Sequence, residues 1–423
     1  MTDREQHGWI IVGAIFVTMF FIWGGINSGA VFFVPVVKYF GWSRAKLSVA
    51  LSIGWVTGGV AGPLIGWIAD RIDPKKMMVA GATITGLLWF ALSRATTFGE
   101  FMLINGLFGI CVGAATTIPC SLIIAGWFQR RRGLAMGIAF SGMWLGGAAM
   151  TLVANFAVAA GGWRTGYVTL AAPVVFLVAP AIVIFVRARN ASAPENADAA
   201  AGAATAQAAA AQPHSVVELP GLEVAQAMRT RSMWLICAAQ LLAGLSTGIA
   251  PQYIAYLTGL GYSATAAASV TSVFLIVTTA GTLMGGPLAD RFTARGAMVT
   301  TFVLNALGMF CLLEALHPVA LAFNVIAGGF SAGALAVQMP LVLIESLGLK
   351  RLGSVMGLTG VFYTAGAAVS PIITGRIFDV TGSYAIALTA FVAMLSVCAL
   401  AIFGCRPLDR EQARLTPSQP AAA

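Results

Sequence analysis

Gly66-Trp67-Ile68-Ala69-Asp70-Arg71, with Lys75 and Lys76 close behind, returns 220 residues later as Gly286-Pro287-Leu288-Ala289-Asp290-Arg291, followed by Arg295. The same offset superimposes other landmarks without a gap. Gly41-Trp42-Ser43 falls on Gly261-Tyr262-Ser263, and Gly162 falls on Gly382. Arg131, Gly133, Met136 and Gly137 fall on Arg351, Gly353, Met356 and Gly357. One offset that serves four separated regions marks an internal duplication of the whole chain.

The repeated loop lies between long apolar runs. Of 423 residues, 59% are hydrophobic and 9% charged, against roughly 45–50% and about 25% in soluble domains. So few charges exclude an ordinary soluble protein. The apolar runs, at roughly 9–33, 46–69, 77–93, 101–126, 133–157, 166–186, 233–257, 264–288, 296–313, 319–344, 353–374 and 382–404, are each long enough to cross a bilayer. Twelve spans in two sets of six give an all-α membrane protein. Residues 1–186 form the first half, 187–231 a connecting linker, and 232–423 the second half with a tail. Ala197 to Ala211 reads as a flexible Ala/Gln/Gly tract. Leu222, Val224, Ala225 and Met228 suit one face of a short surface helix before span seven.

The net charge of +9 does not point to nucleic acid, because the basic residues sit in short clusters between spans. With the N-terminus inside, 18 of the 24 Lys and Arg residues fall in inner segments; only Lys38, Arg44, Lys46, Arg94, Arg164 and Arg376 fall outside. That bias predicts cytoplasmic termini and a cytoplasmic linker. The mixed charges before Trp9, with no small-residue cleavage site after the apolar run, predict a retained first helix. None of the six cysteines lies in an outer loop, so no disulfide framework is expected.

Six spans per half, both halves starting from the same side, are parallel repeats about an axis along the membrane normal. That design places a solute site between the halves near the midplane. Gly66 and Gly286, at span ends, allow a neighbouring helix to approach closely. Asp70 and Asp290 can meet a helix N-terminus or a basic side chain, and Arg71 and Arg291 complete the pair. Contacts made in one state and broken in the other bias an alternating-access equilibrium, so these six residues are the expected gate.

The Gly-x-x-x-Asp-Arg loop in both halves resembles the signature of the major facilitator superfamily. More narrowly, the chain is similar to bacterial members of the monocarboxylate-porter branch, which includes oxalate:formate antiporters. His7-Gly8-Trp9, Phe40-Gly41-Trp42-Ser43-Arg44, Trp127-Phe128-Gln129-Arg130-Arg131-Arg132-Gly133, the stretch Glu223 to Trp234 and Gly375-Arg376-Ile377-Phe378-Asp379 carry that likeness. The resemblance implies the major facilitator fold and transport of a small monocarboxylate with proton symport in the inner (plasma) membrane. Departures are Asp73 in place of a loop glycine, an apolar Ala30 to Phe33 where animal members carry a lysine, and Thr282 near the usual span-eight arginine. The residues that hold a carboxylate by charge in those relatives are missing. A facilitator or exporter of a neutral or aromatic molecule, and a sensor that keeps the fold, therefore stay open.

No charged residue falls near the middle of a span. Glu345 and Asp379, at span ends, are the proton-coupling candidates. Solute binding then rests on polar and aromatic groups: Asn27, Trp144, Gln240, Tyr253, Gln338 and Tyr363, with Arg376 as an anion contact. No catalytic constellation, metal-ligand spacing or cofactor motif is present in the sequence. The expected partners are a small solute, protons and the lipid bilayer, no nucleic acid, with a functional monomer.

Overall fold

The computed structural model describes residues 3–186 and 221–415, which are almost wholly helical. The tract Ala197 to Ala211 lies outside them. Eleven helical segments are long and apolar enough to cross a membrane. One of them, Arg132–Phe185, has 54 residues, which at 1.5 Å per residue is about 80 Å, too long for one crossing. Its path turns at Gly162, whose φ of 79° and ψ of 176° leave the helical region. Spans five and six meet there, and the described residues make twelve crossings. The others are span one (Glu5–Phe40), two (Lys46–Ala69), three (Pro74–Arg94), four (Phe98–Trp127), seven (Arg231–Gly259), eight (Thr265–Arg291), nine (Ala294–Leu312), ten (Pro318–Leu347), eleven (Leu352–Thr381) and twelve (Ala385–Phe403).

The duplication read from the sequence recurs in the backbone. Gly162 and its repeat partner Gly382 both take positive φ, 79° and 68°, a conformation that glycine adopts without the steric cost of a Cβ. Gly41 and Gly261 form a second such pair. Span one is interrupted between Asn27 and Gly29, and span seven between Ser246 and Gln252, positions that coincide under the same shift. Ser43 caps span two and Ser263 caps span eight, each accepting a backbone N–H from its third following residue.

Asp73 explains its own departure from the family pattern. It sits at φ −51° and caps span three by accepting from Lys75 N at 2.8 Å, with Pro74 in the first turn. Its repeat partner Thr293 caps span nine in the same way. Lys75 then donates to the Val183 carbonyl at 2.8 Å, closing the end of span six, and Arg295 donates to the Cys405 carbonyl at 2.7 Å, just beyond span twelve. Basic residues here satisfy the free carbonyls of helix C-termini.

The linker's end departs from expectation. The helix after Glu223 is one turn, Val224–Ala227; Ala227 on it and Leu222 just before it are buried, while Ala225 is exposed. Periodicity cannot orient so short a helix. A bridge between Gly221 and Gly348, with Leu222 N donating to the Leu347 carbonyl at 3.0 Å, orients it instead.

Both described chain ends lie at one end of the bundle. His7 packs on Trp127, and Trp9 on Phe128, with ring centroids 5.3 and 5.2 Å apart. Glu411, in the short helix Leu408–Leu415, accepts from Ser232 Oγ at 2.5 Å. This end also carries Lys75, Arg131, Arg295 and Arg351, and is the basic end below.

Candidate transport site

Within each half, span one packs on five and two on four, while seven packs on eleven and eight on ten. Between halves, span two packs on eleven and five on eight. These four helices make most of the interface, and the repeated loops sit at its basic end.

The two loop aspartates act crosswise. Asp70, of the first half, accepts from Gly353 N and Ser354 N at 2.8 Å each and from Ser354 Oγ at 2.5 Å, capping span eleven of the second half. Asp290, of the second half, accepts from Gly133 N at 2.8 Å and Leu134 N at 2.9 Å, capping span five of the first. Each carboxylate thus satisfies orphan N–H groups and meets the positive end of a helix dipole. Burial pushes the Asp70 carboxyl above its ordinary range, against the opposing pull of the Ser354 and Gly353 hydrogen bonds and the Arg351 charge. Arg351 itself hydrogen-bonds Glu223 of the linker at 2.8 Å, which holds Glu223 below the usual carboxylate range.

Close backbone approach makes the caps possible. A Cβ added to Gly66 would overlap the Gly353 carbonyl, and one added to Gly133 would overlap the Gly286 carbonyl. Gly62 meets Gly357, Gly137 meets Thr282 and Leu283, and Gly59 meets Thr364. The contacts thus climb from the basic end to the level of Gly59. Beyond it the glycine contacts stay within one half: Gly54 meets Asn105 of span four, and Gly146 meets Phe20 of span one. Close glycine-lined approach of the halves is thus confined to the basic end, and the region beyond Gly59 between spans two, five, eight and eleven is the candidate crevice.

Of the six expected gate residues, Gly66, Asp70, Gly286 and Asp290 stand in this interface. Arg71 and Arg291 do not cross it: Arg71 lies over the Trp67 ring at 3.8 Å and Arg291 beside Phe292. Of the two partners open to each aspartate, a helix N-terminus and a basic side chain, the backbone N–H groups at a helix start are the ones met.

The proposed binding residues divide. Asn27 is exposed and donates through Nδ2 to the Met143 carbonyl at 3.3 Å, against Gly147. Trp144 lies on the face of span five that carries Gly133 and Gly137, above their contact with span eight. Its indole Nε1 is buried without a hydrogen-bond partner. Tyr363 is 41% exposed, on span eleven beside Thr364. Gln240 is half-buried on span seven. Two candidates make their hydrogen bonds within the second half. Tyr253 donates to Asn324 Oδ1 at 2.8 Å, and Asn324 donates to the Gly308 carbonyl at 2.9 Å, within the second half. Gln338 is fully buried, donating to the Gly285 carbonyl at 3.3 Å, with Oε1 unpartnered. Arg376 and Asp379 are exposed near the end of span eleven away from the basic end. Glu345 pairs with Arg295 at 2.6 Å and also accepts from Arg295 N.

Sequence reading missed Trp23 and Ser354. Trp23 stands one turn before Asn27, and its Nε1 is likewise buried and unpartnered; its ring lies 6.2 Å from that of Trp55. Nothing local distinguishes Trp23 from a lipid-facing tryptophan. Ser354 follows the repeated Gly353, yet its repeat partner is Leu134, so the duplication gave no signal for a hydroxyl.

A twelve-crossing bundle of two like halves, closed by crosswise caps at one end, is a membrane transporter fold. The family model of the Major Facilitator Superfamily matches residues 14–268 and 235–422, and the chain belongs to that superfamily. Monocarboxylate transporter 13 of Bos taurus is 27% identical over 384 residues, covering 89% of this chain and 84% of that protein. An uncharacterized MFS-type transporter of Bacillus subtilis, YcxA, is 22% identical, covering 92% and 93%. In structure, the E. coli fucose:proton symporter FucP superimposes with a TM-score of 0.68 at 14% identity, over 92% of this chain and 97% of that one. The proton:xylose symporter XylE gives 0.72 at 13%, over 98% and 100%. The chain is a transporter and not an enzyme.

Proposed function

We propose that this transporter carries small monocarboxylic acids across the inner (plasma) membrane by alternating access, with the basic end cytoplasmic and the crevice open to the outside. The unpartnered buried Nε1 of Trp144 carries this reading. An indole N–H is a donor only, and a buried donor without a partner costs about 1–3 kcal/mol. A solute rich in acceptor oxygens, seated between spans five and eight, removes that cost. Asn27 Nδ2 and Trp23 Nε1 add donors on span one. Similarity to monocarboxylate transporters supports the acid over a neutral sugar.

In proteoliposomes, Trp144→Phe should reduce uptake of short-chain monocarboxylates about fivefold through KM, as expected for one lost hydrogen bond of about 1 kcal/mol to the protonated acid. An unchanged KM would sink the assignment. Uptake of a neutral sugar by the wild-type protein, with none of lactate or pyruvate, would favour the neutral-solute reading.

The proton enters on the solute in this reading, since no described acid lines the crevice. Glu345 is committed to Arg295, with both side chains 23% exposed. Glu345→Gln should lower stability by about 1–2 kcal/mol, seen as a lower melting midpoint, because it leaves a half-buried guanidinium without its counter-charge. It should leave pH-gradient-driven uptake intact, as should Asp379→Asn. Loss of that driving force in either stable variant would make the residue the coupling site.

A further inference from the structure

At the end of the bundle away from the basic end, two of the six outlying basic residues converge. Arg94, Arg164, Ser93, Thr165 and Val168 line a crevice of about 410 Å³ between the end of span three and the first turn of span six. Arg164 is held rigidly: Nε donates to the Ser93 carbonyl at 3.0 Å, and Nη2 to the Ala95 carbonyl at 3.3 Å. Its guanidinium also lies 4.6 Å from the ring centroids of both Tyr39 and Trp163. A guanidinium has five N–H donors, so this anchoring leaves donors unspent. Arg94 is exposed, its guanidinium 5.4 Å from the Phe90 ring. Neither arginine has a carboxylate within salt-bridge distance among the described residues. The acid close in sequence, Glu100, is turned to Thr96 N and Thr97 N at 2.7 and 3.2 Å.

The crevice therefore combines two cationic forks with no counter-ion, one of them preorganised. It also opens beside exposed apolar groups, Val168 and Phe90. Arginine forks match phosphate oxygens in geometry and charge. The start of span six adds the positive end of its dipole as a supporting field. We propose that Arg94 and Arg164 form a phosphate-binding crevice at the membrane interface, taking either the phosphodiester of an anionic lipid headgroup or free phosphate. The site is remote from the gate and does not depend on the solute assigned above.

The test uses the full chain, purified in neutral detergent and stripped of lipid. Native mass spectrometry and melting curves follow separate titrations with dioleoylphosphatidylglycerol, dioleoylglycerol and inorganic phosphate. Saturable binding of phosphatidylglycerol but not dioleoylglycerol, about tenfold weaker in Arg94→Gln, identifies the lipid headgroup. Arg94→Lys should recover part of the affinity, and Lys38→Gln, an equal loss of charge elsewhere at this end, should change nothing. The same pattern with inorganic phosphate alone identifies a free-anion site. Equal affinity in wild type and Arg94→Gln, or no saturable binding of either phosphate ligand, overturns the proposal. Arg94 is exposed, so its variants should fold.

Discussion

Asp70→Ala should cut solute uptake at least tenfold and shift the resting protein toward opening at the basic end. The carboxylate accepts three hydrogen bonds across the interface, from Gly353 N, Ser354 N and Ser354 Oγ. Bonds to a charged group are worth about 1.5–3 kcal/mol each, and alanine also strands the two N–H groups it uncovers. Water entering the opened gate returns much of this, so a net shift of about 2–3 kcal/mol is expected, roughly 30- to 150-fold in the equilibrium. Met356 packs across the interface near Ile65 and Ala69 and suits a reporter. With Cys111 and Cys311, the two half-exposed native thiols, replaced by serine, Met356→Cys should react with a soluble maleimide much faster in the Asp70→Ala background. Equal labelling rates in both backgrounds would mean that the cap does not hold the gate. Asp290→Ala should act in the same direction but more weakly, since Asp290 accepts two backbone bonds and no hydroxyl.

The second large effect is steric. Gly133→Ala should abolish transport, with uptake down about a hundredfold, while expression and melting midpoint change little. Its Cβ would meet the Gly286 carbonyl, carbon and Asp290, so the obstacle is mostly backbone, which no side-chain rotation relieves. Spans five and eight must separate, and the closed state is lost while each half still folds. Overpacking of this kind costs about 1–3 kcal/mol where neighbours can move, and more where they cannot. Gly13→Ala and Gly126→Ala are the controls, because a Cβ at either meets nothing within 4 Å. Normal uptake by Gly133→Ala would show that the halves do not need this approach during the cycle.

Much of the architecture is legible in the chain because its signals are local or repetitive. Long apolar runs report the solvent that each helix must match, and one offset reports the duplication. The gate glycines and aspartates repeat, so Gly66, Asp70, Gly286 and Asp290 stood out. Arg71 and Arg291 repeat as well, yet they stack on their own neighbours; repetition marks a position without saying what it touches. Polar residues within spans were harder. Tyr253 and Gln338 read like Asn27 and Trp144, since each is a lone polar or amphipathic group in apolar sequence. Which of them faces the crevice depends on the rotation of its helix and on the neighbour it meets. Asn324 took the hydroxyl of Tyr253, and the Gly285 carbonyl took the amide of Gln338.

The sequence by itself determined twelve helices, two parallel halves and a repeated loop, because hydrophobic length and duplication are properties of one dimension. Tertiary structure alone decided that each loop aspartate caps a helix of the opposite half, and that Trp23 and Trp144 keep buried donors unpaired. Those facts depend on distances between residues more than a hundred positions apart, set by how closely glycine-lined helices approach. No local pattern encodes that distance.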